Sequence, residues 1–216
     1  MASALSPKLL RGGLLLIDAG SGQVKRVVAL QYNPDTLTRT MQIQGTGDGG
    51  ERSEVVRLKG PAVETLKIDA EIDATDQNEL SDSAALAKHG IAPQLAVLEG
   101  MINPRSADLI AADSLARVGT IEIAPAQAPL TVFVFGPKRV LPVRLTEFSI
   151  TEEAFDPDLN PLRAKVSLGM RVLSVNDVGF SHKAGTLFLT YLQSREQLAG
   201  NSLGVKYDVL GLGGKP

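Results

Sequence analysis

Few side chains in this sequence are placed to act chemically, and each has a plainer duty to set beside the chemical one. His89 and His182 are the only histidines, and neither has a His, Cys or acidic partner at metal-ligand spacing. Both adjoin Gly or Lys in predicted loops, which makes them surface residues rather than zinc ligands. Asp69, Glu71 and Asp73 recur at every second position. Clustered carboxylates suit a hard cation, but on a strand such residues only line one face, so a solvated or salt-bridged row is the expectation. Asp156 and Asp158 flank Pro157 in a turn, where aspartate is at home without catalytic duty. Gly20-Ser21-Gly22 lacks both the spacing and the Lys-Ser/Thr of a phosphate loop and reads as a hairpin turn. No G-x-S-x-G is present, and the absence of cysteine removes thiolate nucleophiles, thiolate metal sites and disulfides together. The expectation is a protein with no catalytic, cofactor-binding or metal residue, and so not an enzyme.

The elements around these residues are mostly strands. In FDPDLNPLRAKVSLGMRV, the even positions Leu162, Ala164, Val166, Leu168, Met170 and Val172 are apolar. The odd positions Arg163, Lys165, Ser167, Gly169 and Arg171 carry three cations and no acid. That alternation predicts one long strand with a buried and an open face. Residues 65–73 alternate in the same way, with Leu66, Ile68, Ala70 and Ile72 inward and the carboxylate row outward. Residues 14–17 and 24–32 form a hairpin about Gly20-Ser21-Gly22, followed by the turn Tyr32-Asn33-Pro34-Asp35, in which Asn33 is expected to bond back to the local backbone. Residues 37–44 read as a strand only partly buried, because Arg39 interrupts its apolar set. Residues 131–135 are apolar throughout and predict burial on both faces, with Gly136-Pro137 as the turn. Between Leu145 and Phe148 the apolar parity switches, which requires a bulge near Thr146-Glu147.

Helices are predicted at residues 94–102, opened by Pro93 and stopped by Pro104, at 107–116, and at 186–199, closed by Gly200-Asn201. The glycine- and charge-rich stretch 45–60 reads as a long functional loop, and the chain end as a mobile tail. Since strands do not alternate with helices, a mainly β, α+β architecture fits better than a parallel doubly wound sheet. The expected form is an antiparallel β-sandwich or barrel with a packed helix and a C-terminal helix. Residues 1–180 would form the β-domain and 181–216 the helix and tail.

With 216 residues there is enough chain to bury a sizeable core. A net charge of −2 argues against a general nucleic-acid binder. The N-terminal apolar run Leu14-Leu15-Leu16-Ile17 ends at Asp18, too short for a secretory leader, and no run approaches a membrane span. Cytoplasmic synthesis without a signal peptide is therefore expected.

The order of these features resembles the tube protein family of contractile injection systems, over about residues 14–175. Tyr32, Asn33, Pro34 and Leu37 match the family's aromatic-Asn-Pro-x-x-Leu turn. Phe135-Gly136 matches an aromatic-Gly strand end, where Trp is common. Phe155 and Pro161-Leu162-Arg163-Ala164 match its Phe and its Pro-Leu-Arg-Ala entry to a long strand. Many members carry a C-terminal LysM module, for which this sequence leaves no room after its last helix. The resemblance implies a tail-tube-type fold in which two antiparallel sheets wrap a core. Six copies would join into a tube-initiating or baseplate-hub ring lined by strands, part of an assembled phage-tail-like particle. The implied partners are further copies of the chain, the inner tube protein, the spike protein and other baseplate components, without nucleic acid or membrane insertion. In such a wall the cationic row of residues 163–171 would meet the acidic row Asp69, Glu71 and Asp73 on a neighbouring strand. A stand-alone β-sandwich module that binds a ligand or effector is the competing reading.

Overall fold

A computed structural model describes residues 10–45, 57–76, 88–117, 129–202 and 204. Among these, seven strands form one antiparallel sheet: β1 Gly13–Ile17, β2 Val24–Ala29, β3 Leu37–Gln42, β4 Val63–Asp73, β5 Leu130–Val134, β6 Val140–Phe155 and β7 Pro161–Val172. Their order is β2-β1-β5-β6-β7-β4-β3. Four helices accompany it: α1 Ala92–Glu99, α2 Ser106–Arg117, α3 Val175–Val178 and α4 Lys183–Gly200. The mainly β, α+β class expected from the sequence is the one adopted. The layers, however, belong to one continuous sheet instead of two separate ones.

One hydrophobic cluster explains how a single sheet encloses a core. It joins Leu14 of β1, Leu66 and Ile68 of β4, Val166 and Leu168 of β7, and Leu95 and Leu98 of α1. Strands far apart in the sheet order therefore meet face to face, and the sheet folds over with α1 as a plug. Gln31 fastens the fold-over: its amide donates to Asp73 O and its Oε1 accepts from Asp73 N, each at 2.9 Å. The side chain thus takes the place of a strand neighbour where β2 has ended. Each fully buried Leu, Ile or Val in such a cluster contributes roughly 1.5–3 kcal/mol relative to exposure.

The alternation in β7 is realised as read. Ala164, Val166, Leu168, Met170 and Val172 are buried, while Arg163 and Lys165 are exposed. β5 is buried on both faces, from Leu130 through Phe133. The bulge falls where the parity switch required it: the β6–β7 register shifts between Leu145 and Glu147, leaving Thr146 as the extra residue. β1 and β2 form the expected hairpin. Asp18 organises its tip by accepting from Ser21 N at 2.9 Å and Ser21 Oγ at 3.0 Å. The Lys25 ammonium, 2.8 Å away, then helps hold the Asp18 carboxyl well below the usual carboxylate range.

Several local expectations are corrected. Asn33 does not bond back within its own turn. Its Oδ1 accepts from Gly12 N at 2.7 Å and its Nδ2 donates to Leu10 O at 2.8 Å, so it clamps the segment entering β1. The first helix begins at Ala92 and regular helix ends at Glu99, with only turns beyond it to Asn103. Its start is tied to β7 through Ile91 N, which donates to Pro161 O at 2.9 Å. Gly90 just before it has φ 55°, and a Cβ there would run into the Pro161 carbonyl. The last helix starts earlier than predicted, at Lys183, because His182 caps it: its Nδ1 accepts from Ala184 N at 3.1 Å. α4 is packed, with Ala184, Gly185, Phe188 and Tyr191 buried. The glycine-rich stretch lies mostly outside the described residues. Its base is held by Lys59 N donating to Gln44 O at 2.8 Å and by a Gly45–Leu58 bridge. The predicted mobile tail lies outside the described residues except at Ser202 and Gly204.

Candidate functional site

The open face of β4, β7 and β6 is the most elaborately built surface of the molecule. Strand register places Asp73, Glu71 and Asp69 directly beside Arg163, Lys165 and Ser167, the neighbour relation anticipated from the sequence. On the other flank of β7, Glu153, Thr151 and Ser149 oppose the same three residues. Arg163 Nε donates to Asp73 Oδ2 at 2.8 Å and lies 3.9 Å from Glu71 Oε1. Lys165 pairs outward with Glu153 at 3.1 Å rather than with Glu71. Ser167 Oγ donates to Asp69 Oδ1. Arg163 and Lys165, which stood without an acid in their own strand, are thus supplied from both neighbours, while Arg171 pairs with Asp177 just after the strand at 2.6 Å.

Glycine 169 makes room for one of these links. It lies directly between Lys67 of β4 and Glu147 of β6, whose charges approach to 3.5 Å across β7. A Cβ at Gly169 would come within 2.8 Å of Glu147 Cβ. The Asp73 carboxyl is held below its ordinary range, first by hydrogen bonds from Thr75 and then by Arg163. This carboxylate row is a ladder of ion pairs and hydrogen bonds. Among the described residues no group of three or more His, Asp or Glu side chains is arranged to hold a metal ion.

The remaining candidates have structural work of their own. Asp156 shapes the β6–β7 turn: it accepts from Asp158 N at 2.9 Å, Asn160 N at 2.8 Å and Asn160 Nδ2 at 2.8 Å. Those bonds, Asn160's foremost, lower its carboxyl pKa. Asp158 points into solvent and His89 is exposed. His182 is the helix cap described above.

What the sequence reading missed is a buried polar triad at the other margin of the sheet. Arg39 of β3 pairs with Glu64 of β4 at 2.7 Å and donates to Tyr191 Oη of α4, also at 2.7 Å. Glu64 is only 5% exposed. Burial, followed by the nearby Glu64 charge, pushes the Tyr191 phenol upward, and Glu64 raises the Arg39 pKa. Arg39 was legible only as an interruption of an apolar pattern. Its inward parity, shared with Leu37, was the signal for a buried partner.

A cavity of about 460 Å³ lies between β2, α1 and the inner faces of β4 and β7. Val28, Leu30, Ile72, Val97 and Leu98 contribute to its lining, and Glu71 is the one charged residue there. Apart from it, β2 and β3 leave the two outer edges of the sheet unpaired among the described residues. Val24 and Val27 on one edge and Met41 on the other are more than half exposed. No helix among the described residues is long and apolar enough to cross a membrane.

No protein-family model matches the chain, and no curated protein matches it. Among solved structures the chain is similar to one from the tail of an empty GTA particle with C6 symmetry. The identity is 12%, over 75% of this chain and 90% of that chain, with a TM-score of 0.30.

Proposed function

We propose that this chain is a structural subunit of a phage-tail-like contractile injection particle, forming a hexameric tube-initiating or hub ring between the spike and the inner tube. The observation that carries this reading is the three-stranded face of β4, β7 and β6. Its inner side is buried in the core along β4 and β7 and half-buried along β6, and its outer side is a polar ladder. That is the format a lumen wall requires, with one face for the core and one for water.

The two free edges point the same way. Unpaired edge strands with exposed valines are a liability in a monomer, and closing six sheets edge to edge removes it. The contact is heterologous, joining different edges of identical copies, so rotation can close it into a ring. In this reading the chain is not an enzyme. Its partners are its own copies, the tube protein, the spike and the surrounding baseplate components. Electron microscopy of particles from cells lacking the chain tests the assignment. Truncated or tube-less particles are expected, and complete contractile particles would overturn it.

The cavity beside α1 favours a second reading, a stand-alone β-sandwich module that binds an apolar ligand or effector segment. Its volume lies within the range of roughly 300–1,000 Å³ usual for ligand pockets. A purified chain that binds small apolar molecules and never associates with tube or spike proteins would favour this alternative.

A further inference from the structure

α2 is a helix without a partner. None of its residues, Ser106–Arg117, is buried among the described residues, and Leu109, Ile110 and Leu115 are 57%, 68% and 52% exposed. Its charges are already matched locally: Arg105 meets Asp108 at 3.0 Å, and Arg117 meets Asp113 at 2.8 Å. Exposed pairs of this kind stabilise a helix only weakly. A helix of 12 residues is marginal alone in water, and helices in proteins are held chiefly by packing an apolar face. The surface that α2 leaves unused is apolar, and Leu109 and Ile110 stand side by side on it.

The cavity beside α1 has the opposite lack. It spans about 460 Å³, and Val28, Leu30, Val97 and Leu98 belong to its lining. Val27 also lines it and is 63% exposed, so the space reaches the surface along β2. A void leaves the atoms around it short of dispersion contacts, and apolar side chains of matching shape restore them. The chain's own α2 is not the filler, because its Leu109 and Ile110 remain exposed.

We infer that α2 of a second copy of this chain is the occupant, with its Leu109 and Ile110 entering the cavity between β2 and α1. A helix laying its apolar face into an apolar groove is a recurrent mode of recognition. One chain carries both halves of the contact on different parts of its surface. The contact is therefore heterologous: each copy gives one helix and takes one, so rotation can close it. The inference rests on the ring reading, in which β2 is one of the two edges that closure joins. The neighbour then delivers a helix beside the edge to which it delivers a strand, and the cavity is complete only with the neighbour's residues.

The chain has no cysteine, so introduced thiols report the contact without interference. Full-length Ile110→Cys is mixed with full-length Val27→Cys and treated with a short bismaleimide. Covalent dimers joining the two variants are expected, and neither variant alone should form them. Both positions are exposed, so the changes leave folding intact. With both cysteines in one chain, the cross-links should run between chains. A product joined only within one chain would put α2 in its own cavity and overturn the inference, as would dimers of a single variant. In sedimentation velocity, Ile110→Asp should weaken self-association by about tenfold while the urea unfolding midpoint stays unchanged. Association equal to that of wild type, or wild-type protein that stays monomeric at high concentration, also overturns it. Electron microscopy separates the two ideas. Closed rings of Ile110→Asp protein refute this contact and leave the ring reading standing, whereas cross-linked chains that never close do the reverse.

Discussion

Residues 140–143 and residues 147–155 belong to the same strand, β6, yet they occupy different surroundings. In the first segment Leu141, Pro142 and Val143 are all buried, pressed between β5 and β7. In the second, Glu147, Ser149 and Thr151 stand in water and Phe148 and Ile150 are only half-buried. Thr146 separates the two, since the extra residue of the bulge resets which side chains face inward. One strand thus serves as an enclosed wall at one end and as a rung of an open polar ladder at the other. Sequence position along a strand says less about tolerance to change than the number of covered faces.

That contrast is broken most severely by a charge in the enclosed part. Leu141→Asp, or Val166→Asp on the core face of β7, should abolish cooperative folding, because each places an unpaired carboxylate where nothing can solvate it. Loss of the sigmoidal urea transition followed by circular dichroism is the expected readout. Next in size is Arg39→Met, which leaves Glu64 buried without its cation. The expected cost is about 3 kcal/mol in urea unfolding, well above that of any ion pair on the open ladder. Gly169→Val probes the point where the ladder runs short of space, and pushing against Glu147 should cost about 2 kcal/mol.

The smallest effects belong to the open ladder. Lys165→Ser and Ser149→Asn should change stability by less than about 0.5 kcal/mol. If these proved as damaging as Leu141→Asp, the facing of the whole sheet would be inverted. Acid sharpens the same point for Asp73. Its folded pKa is depressed, so its contribution is complete above the unfolded value of about 4 and is lost as pH falls through the folded value. Thr75→Val removes the main cause of that depression, and the midpoint of acid unfolding should move to higher pH.

Much of this arrangement was legible because period-two alternation is a local signal. The facing of β4 and β7, the pairing of their charged rows and the bulge at Thr146 all follow from parity within a dozen residues. Residues whose roles depend on distant partners were not legible in the same way. Arg39 meets a carboxylate 25 positions away and a phenol 152 positions away, and no periodicity announces either. Asn33 looked like a local turn former because its ties to Gly12 and Leu10 lie more than 20 positions back. α2 was expected at residues 107–116, but nothing in that stretch foretold its burial, and no side chain of α2 is buried. Gln31 had no signal at all, since a side chain standing in for a strand leaves no pattern.

The strand order also sets a timetable. β6 and β7 are joined by a short turn and pair from Phe155 back to Val143, so their contacts can form within microseconds, as hairpins do. β1, by contrast, must find β5 across more than 100 residues, and β4 must find β7 across a similar separation. Sheets built from such distant pairings fold slowly, because the chain loses loop entropy before the contacts repay it. During that delay the β6–β7 hairpin exists with its apolar side uncovered, and in a cell the time spent so exposed is when unwanted association competes with folding. The row of charges on its other side then acts as a solubility tag for the nascent hairpin. Pulsed hydrogen exchange should find β6 and β7 protected first and β1 last.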